Sequence, residues 1–245
     1  MQNFTTKTIR EIAVEMPVTT RVFEEFKIDY CCGGGRNFAV ACQSAGVAPE
    51  VLSQKLNQVL SAQSQNNTET PVQKQSLSAL IDYILEKHHI FTKQELIRLK
   101  PLMEKVASKH GPNHEELLPL QNYFNELYDD LMPHMMKEEN VLFPFIKQLE
   151  MADLHNLSSP KPPFGTVKNP VRMMLLEHDK DGGILRKMRE TSKDYKVPEG
   201  VCPSFQALYF GLEELEKDLH RHIHLENNVL FPDAVELEQK VMFVN

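Results

Sequence analysis

Residues 134–144 read HMMKEENVLFP and residues 222–232 read HIHLENNVLFP, so seven of eleven positions recur. Each copy keeps a His, a Glu four residues later, and a Val-Leu-Phe-Pro end. Residues four apart on an α-helix lie one turn apart on one face, so His134 and Glu138 are expected to point the same way, as are His222 and Glu226. Their apolar company says which way that is. Leu127, Leu131, Val141, Leu142 and Phe145 share the face of His134, and Leu208, Leu215, Leu219, Val229 and Leu230 share that of His222. Such stripes are the buried faces of amphipathic helices. On this reading Val141, Leu142 and the Phe143–Pro144 pair pack or end the helix that presents His134 and Glu138.

The repeat extends upstream of these stretches. ILEKHH (84–89) is echoed by MMLLEH (173–178), which pairs His89 with His178. His89 has Ile81, Leu85 and Leu96 on its face, and His178 has Val171, Met174, Leu175 and Leu185. Two helix pairs, each giving one His and one His-x3-Glu, describe a pseudo-twofold bundle. Four long helices fit the pattern, at about 76–110 with Pro101 interrupting, 115–149, 171–193 and 205–238. Ahead of them, residues 1–60 form a small unit with short amphipathic segments at 9–14 and 19–26, a Gly-rich turn, and helices at 37–43 and 49–60. The polar stretch 61–75 lacks periodicity and reads as a linker, so the bundle domain runs over 76–245. Strand-like alternation is nearly absent, and the fold class is all-α: a small N-terminal helical domain followed by a four-helix bundle.

Composition narrows the function. A net charge of −7 argues against nucleic acid as a main partner, because phosphate binding needs clustered Lys and Arg. No apolar run reaches the length of a membrane helix, and charges stand where a signal peptide would need its apolar core. Four Cys, two of them adjacent, do not form a disulfide framework, which fits a reducing cytoplasm.

Six polar side chains, His89, His134, Glu138, His178, His222 and Glu226, are thus aimed into an apolar core with no Lys or Arg on their stripes to neutralise the carboxylates. A buried carboxylate without a partner costs several kcal/mol, and a metal removes that cost. Inward-facing Glu and His from four helices are how bundles build dinuclear carboxylate sites. All-N/O ligation disfavours copper(I) and structural zinc, and so many ligands exceed one tetrahedral zinc. Two irons fit best, with two manganese ions as the second choice. The other histidines, His88, His114, His155, His220 and His224, lack a matching stripe and read as solvated or supporting groups, and Cys42 and Cys202 read as structural.

The His-x3-Glu repeats with His89 and His178 resemble the hemerythrin-like di-iron domain. IDYCCGGGR (28–36) resembles the short Cys-Cys-Gly-Gly domain that precedes it in the Repair of Iron Centres family. The resemblance covers nearly the whole chain. It implies a cytoplasmic protein with two irons joined by an oxo or hydroxo bridge, acting on iron–sulfur proteins damaged by nitrosative or oxidative stress. It adds His110 to the ligand set, an assignment that needs the chain to break at Pro101 or at the HGPN turn (110–113) and return. With five imidazoles and two bridging carboxylates, about one coordination position stays open for nitric oxide, O2 or peroxide. The implied action is iron donation or nitric-oxide removal; the alternatives are a di-iron nitric-oxide reductase, or an O2- or nitric-oxide-binding sensor or carrier.

Cys31 and Cys32 stand before three Gly and a helix start, where amides stabilise a thiolate. They read either as small buried groups in a tight turn or as thiols that capture iron, nitric oxide or a partner's thiol near the metal. The linker lets the small domain fold over its own bundle or over a neighbour's in a homodimer.

Overall fold

The structure is a computed structural model and describes residues 4–63 and 76–242. Among these residues every regular element is helical, and the one pairing of extended backbone is an isolated bridge between Thr8 and Asn37.

The small domain carries α1 (Ile9–Glu15), α2 (Thr20–Glu25), α3 (Phe38–Ala45) and α4 (Pro49–Gln63). Thr8 and Glu11 close a capping box at the start of α1, which satisfies two otherwise orphaned amides. Asn37 caps α3, and Gly46, with φ of 66°, ends it in the left-handed conformation that glycine adopts without penalty. Phe4, Ile9, Ile12, Phe23, Tyr30, Phe38, Leu52 and Leu56 fill one core. Helix α4 runs three residues into the stretch expected to be linker; the rest of that stretch, 64–75, lies outside the described residues.

The bundle has four columns. The first joins α5 (Leu77–Ile84) to α6 (Ile90–His110) through a π-helical turn at Leu85–His89. The second joins α7 (Leu117–Lys137) to α8 (Phe143–Leu154) through a π turn at Glu138–Leu142. The third is α9 (Lys168–Thr191), and the fourth joins α10 (Pro203–Leu225) to α11 (Phe231–Met242) through a π turn at Glu226–Leu230. One apolar cluster, including Leu96, Leu131, Ile184 and Leu219, fills the bundle on one side of the six polar residues. A second, including Ile84, Leu142, Met174 and Leu230, fills it on the other.

Two details correct the sequence reading. Pro101 stays inside α6 and does not interrupt it. The Val-Leu-Phe-Pro stretches do not end their helices: each passes through a π turn and continues. A π turn adds a residue to the helical cycle and so shifts the face that follows. Val141, expected on the buried stripe, is 45% exposed, and Leu142 and Phe143 are buried in its place. Leu175 is likewise 40% exposed. Pro144 and Pro232 are each the second residue of the helix after such a turn, where the regular ladder is already broken and a missing N–H costs little.

Candidate metal centre

Three of the four columns carry a π turn at the level of the six polar residues, and each turn contains one of them: His89, Glu138 and Glu226. Single π turns recur at functional sites because the extra residue re-aims a side chain. His134 stands one turn before Glu138, His222 one turn before Glu226, and His178 lies midway along α9. All six are at most 1% exposed.

Their donor atoms converge. His89 Nε2 lies 3.1 Å from His222 Nε2, and His134 Nε2 lies 2.9 Å from His178 Nε2. Each carboxylate turns one oxygen toward each imidazole pair. Glu138 Oε2 is 3.5 Å from His89 and its Oε1 is 3.3 Å from His134. Glu226 Oε1 is 3.0 Å from His222 and its Oε2 is 3.3 Å from His178. The result is two four-residue groups, His89–Glu138–His222–Glu226 and His134–Glu138–His178–Glu226, that share both carboxylates.

The residues fit a metal pair. Imidazole nitrogens about 2.1 Å from one ion and at right angles stand about 3 Å apart, as these do. Both oxygens of Glu138 and Oε2 of Glu226 are buried without a hydrogen-bond partner, a costly state that a cation relieves. Outer groups fix the ring orientations. Nδ1 of His89, His134 and His178 meets Glu139 Oε1, Glu177 Oε2 and Asn227 Oδ1, each at 2.7 Å. A proton on Nδ1 leaves the Nε2 lone pair free and aimed inward. Lys93 and Lys137 hold Glu139 and Glu177 in turn. His222 is the exception: its Nδ1 has no partner, and His88, bonded to Asp218, stacks on its ring instead.

The electrostatics favour charge at the centre. Burial pushes the Glu138 carboxyl up, and the Glu226 charge does the same, but His134 and His89 outweigh both and hold it below the usual range. Burial opposes ionisation of Glu226 too, yet His222, His89 and His178 hold it well below that range. Burial lowers His89 and His134, while Glu138 and Glu226 raise both imidazoles to about 10. For His178 burial wins, and the ring titrates below its ordinary value.

The structure does not bring His110 to this cluster. Because α6 is unbroken, His110 ends a 21-residue helix that starts just after His89, about 31 Å further along. There its Nε2 lies 3.1 Å from Cys202 Sγ, and its ring packs edge-on against Phe205. Cys31 and Cys32 do lie near the site. Cys31 is buried and its thiol donates to Asp29, while Cys32 is half-buried and its thiol donates to the carbonyl of His178 at 3.4 Å. A Cβ at Gly34 would stand 2.6 Å from the Tyr30 backbone carbonyl, so the turn that presents the thiols needs that glycine, while one at Gly33 would press on the Asp29 carboxylate at 2.8 Å. The neighbouring Cys32 thiol, and burial after it, push the Cys31 thiol well up.

The outer partners Glu139, Glu177 and Asn227 were not foreseen; their signal is position, next to Glu138 and Glu226 and just before His178. Of the other histidines, His88 and His224 are buried, His220 bonds Glu24 of the small domain, and His155 is exposed.

Comparisons with known proteins place both parts of the chain in described families. Residues 5–60 match ScdA_N, a domain of unknown function, and residues 79–234 match the hemerythrin HHE cation-binding domain. A probable iron–sulfur cluster repair protein of Haemophilus influenzae is 31% identical over 94% of this chain and 97% of its own. The iron–sulfur cluster repair protein ScdA of Staphylococcus haemolyticus is 31% identical over 91% of this chain and 95% of its own. The iron–sulfur cluster repair protein YtfE of Escherichia coli is 32% identical over 92% and 94%. Among the described residues no helix is long and apolar enough to cross a membrane.

Proposed function

The chain belongs to the family of ScdA- and YtfE-type iron–sulfur cluster repair proteins, and from that premise we propose that its bundle holds two irons that serve the repair of damaged iron–sulfur proteins. The observation that carries this reading is the pair of four-residue groups sharing Glu138 and Glu226. His89 and His222 would hold one ion, His134 and His178 the other, and both carboxylates would bridge. Bound iron supplies Lewis-acid and one-electron chemistry.

The protein's part is to orient and to exclude. Glu139, Glu177 and Asn227 keep three imidazoles turned inward, and the two apolar clusters keep bulk water out. Against burial, Glu138 and Glu226 favour protons on His89 and His134, which these imidazoles would have to give up to act as ligands. With four imidazoles as ligands in place of five, bound iron would have more room for nitric oxide, O2 or peroxide. Repair then proceeds by giving iron to a depleted cluster site or by removing nitric oxide, in a reducing cytoplasm that suits four free thiols.

The test joins metal analysis to a repair assay. The parent is expected to carry two irons and the His134→Ala and Glu226→Ala variants fewer. Loaded parent is expected to restore a cluster-depleted hydratase beyond what free iron does. Unchanged iron in both variants would overturn the site, and restoration no better than free iron would overturn the donor role.

A further inference from the structure

Between the small domain and α9 lies a cavity of about 350 Å³, within the size range of small-molecule sites. Both Cys31 and Cys32 line it, and Cys32 is the more accessible of the two. Cys32 Sγ sits 3.3 Å from where a Cβ of Gly182 would stand, so the absence of that side chain lets the thiol reach the helix and the cavity.

Most charges around the cavity are already matched. Glu24 meets His220 and Tyr30, Lys27 meets Asp194, and Arg189 meets Glu216. Asp29 accepts from the amide and thiol of Cys31. Arg186, Lys193 and Glu190 remain, all exposed and none in an ion pair among the described residues. Arg186 follows Gly182 by one helical turn, about 6 Å along α9, and Lys193 lies just past the end of that helix, where it also lines the cavity. Arg186 also lines a second cavity of about 280 Å³ beside Arg36, which is unpaired as well. Arg186, Lys193 and Arg36, none of them in an ion pair among the described residues, thus stand near the thiol pair in a protein of net charge −7.

We propose that this cleft binds a low-molecular-weight thiol bearing carboxylates, with its sulfur at Cys32 and a carboxylate on Arg186. Lys193 takes a second carboxylate, and Glu190 takes an ammonium where the ligand has one. The disulfide form of such a thiol exchanges with Cys32. The Cys32 thiol gives its proton to solvent, its sulfur bonds to one sulfur of the disulfide, and the other leaves as a thiolate that takes up a proton. Cys32 is thereby oxidised to a mixed disulfide and one ligand molecule is reduced. Cys31, buried and bonded to Asp29, stays unmodified.

The iron-loaded full chain is mixed with glutathione disulfide, which carries carboxylates, or with hydroxyethyl disulfide, which is neutral. The modified residue is located by peptide mass. Cys32 is expected to react about tenfold faster with the anionic disulfide, the order of one charge-assisted contact. Long-range charge works the other way, since the protein as a whole repels an anion. Arg186→Glu is expected to abolish the preference and leave the neutral rate unchanged; Arg186→Lys is expected to keep most of it. Equal rates for the two disulfides, a preference that survives Arg186→Glu, or modification at Cys202 in place of Cys32 would overturn the proposal. Iron content, read in parallel, is expected to be the same in all three proteins, so a failure here is separate from a failure of the metal assignment.

Discussion

The stretches HMMKEENVLFP and HIHLENNVLFP do the same thing on their inner faces and different things on their outer ones. His134 and His222 are equally buried, as are Glu138 and Glu226. On the outer face of the first copy, Met136 is 57% exposed and Val141 45%; at the matching places of the second, His224 is 2% and Val229 5% exposed. The cover is the small domain. Asn228 donates to the carbonyl of Tyr30, where Asn140 reaches only the carbonyl of Met136 on its own helix. The partner helices differ in the same way: Lys93 pairs with Glu139, while Gly182 at the matching place receives Cys32. The six polar residues keep a twofold arrangement at the centre, and the small domain breaks it on what faces away.

The shared inner face yields the largest expected effect. Each carboxylate serves both groups, whereas each imidazole serves one. Glu138→Ala and Glu226→Ala are each expected to lose both irons, with affinity falling more than about 100-fold, while His222→Ala keeps the ion of the other group. Iron-to-protein ratios read this directly. A Glu138→Ala protein that keeps one iron at parental affinity would break the equivalence of the two copies.

The next effect comes from the one ring without an outer acceptor. His134 has Glu177, and the matching group for His222 is His88, which offers its ring face and no bond to Nδ1. Loss of such an outer partner weakens metal binding about 10- to 100-fold. Iron is therefore expected to leave the parent for a chelator in two phases, with the His89–His222 ion first. Glu177→Ala is expected to speed the slow phase about tenfold or more. A single phase in the parent would show that the outer partners do not set retention.

How much of this was legible in the sequence follows the same division. Helical periodicity put His134, Glu138, His178, His222, Glu226 and His89 on buried faces, because a repeat of 3.6 residues with apolar company is a strong signal. The π turns were not legible, since an extra residue leaves the same letters in the same order; Val141 was misplaced for that reason. His110 was misplaced because resemblance carries residues across without their geometry, and the unbroken α6 decides it. The docking of Cys32 depends on contacts across 146 residues of chain, which no local pattern encodes.

A third contrast lies one turn after the helix-borne imidazoles, at Thr92 and Asp181. Both are buried, and neither finds a partner for its side-chain oxygens. Only Asp181 titrates. Burial is the main cause that pushes its carboxyl up to about 7; His134 and Lys180 oppose, while Asp130 and Glu177 add. With the folded value raised, both states are protonated below about pH 4, and stability is lost as pH rises toward 7 and the unfolded chain alone ionises. In metal-free protein, Asp181→Asn is expected to match the parent at pH 4 and exceed it by a few kcal/mol at pH 8. Denaturant unfolding at the two pH values measures this, and a gain of equal size at both would show that ionisation is not the cause.

The smallest effect tests the outer faces alone. Asn228 is buried, and its amide donates to the Tyr30 carbonyl at 3.1 Å and meets His224 Nδ1 at 2.8 Å, so its removal takes away two bonds at the contact with the small domain. Asn228→Ala is expected to cost about 1–2 kcal/mol of stability. Asn140 holds the same place in the first copy but serves only its own helix at the surface, so Asn140→Ala should stay within about 0.5 kcal/mol of the parent. Thermal unfolding of the two variants compares them directly. Equal losses would mean that the small domain does not depend on this contact, and that the second copy is buried for packing alone. A loss confined to Asn228 would place docking energy at the outer face of the second copy, through a residue that both copies share.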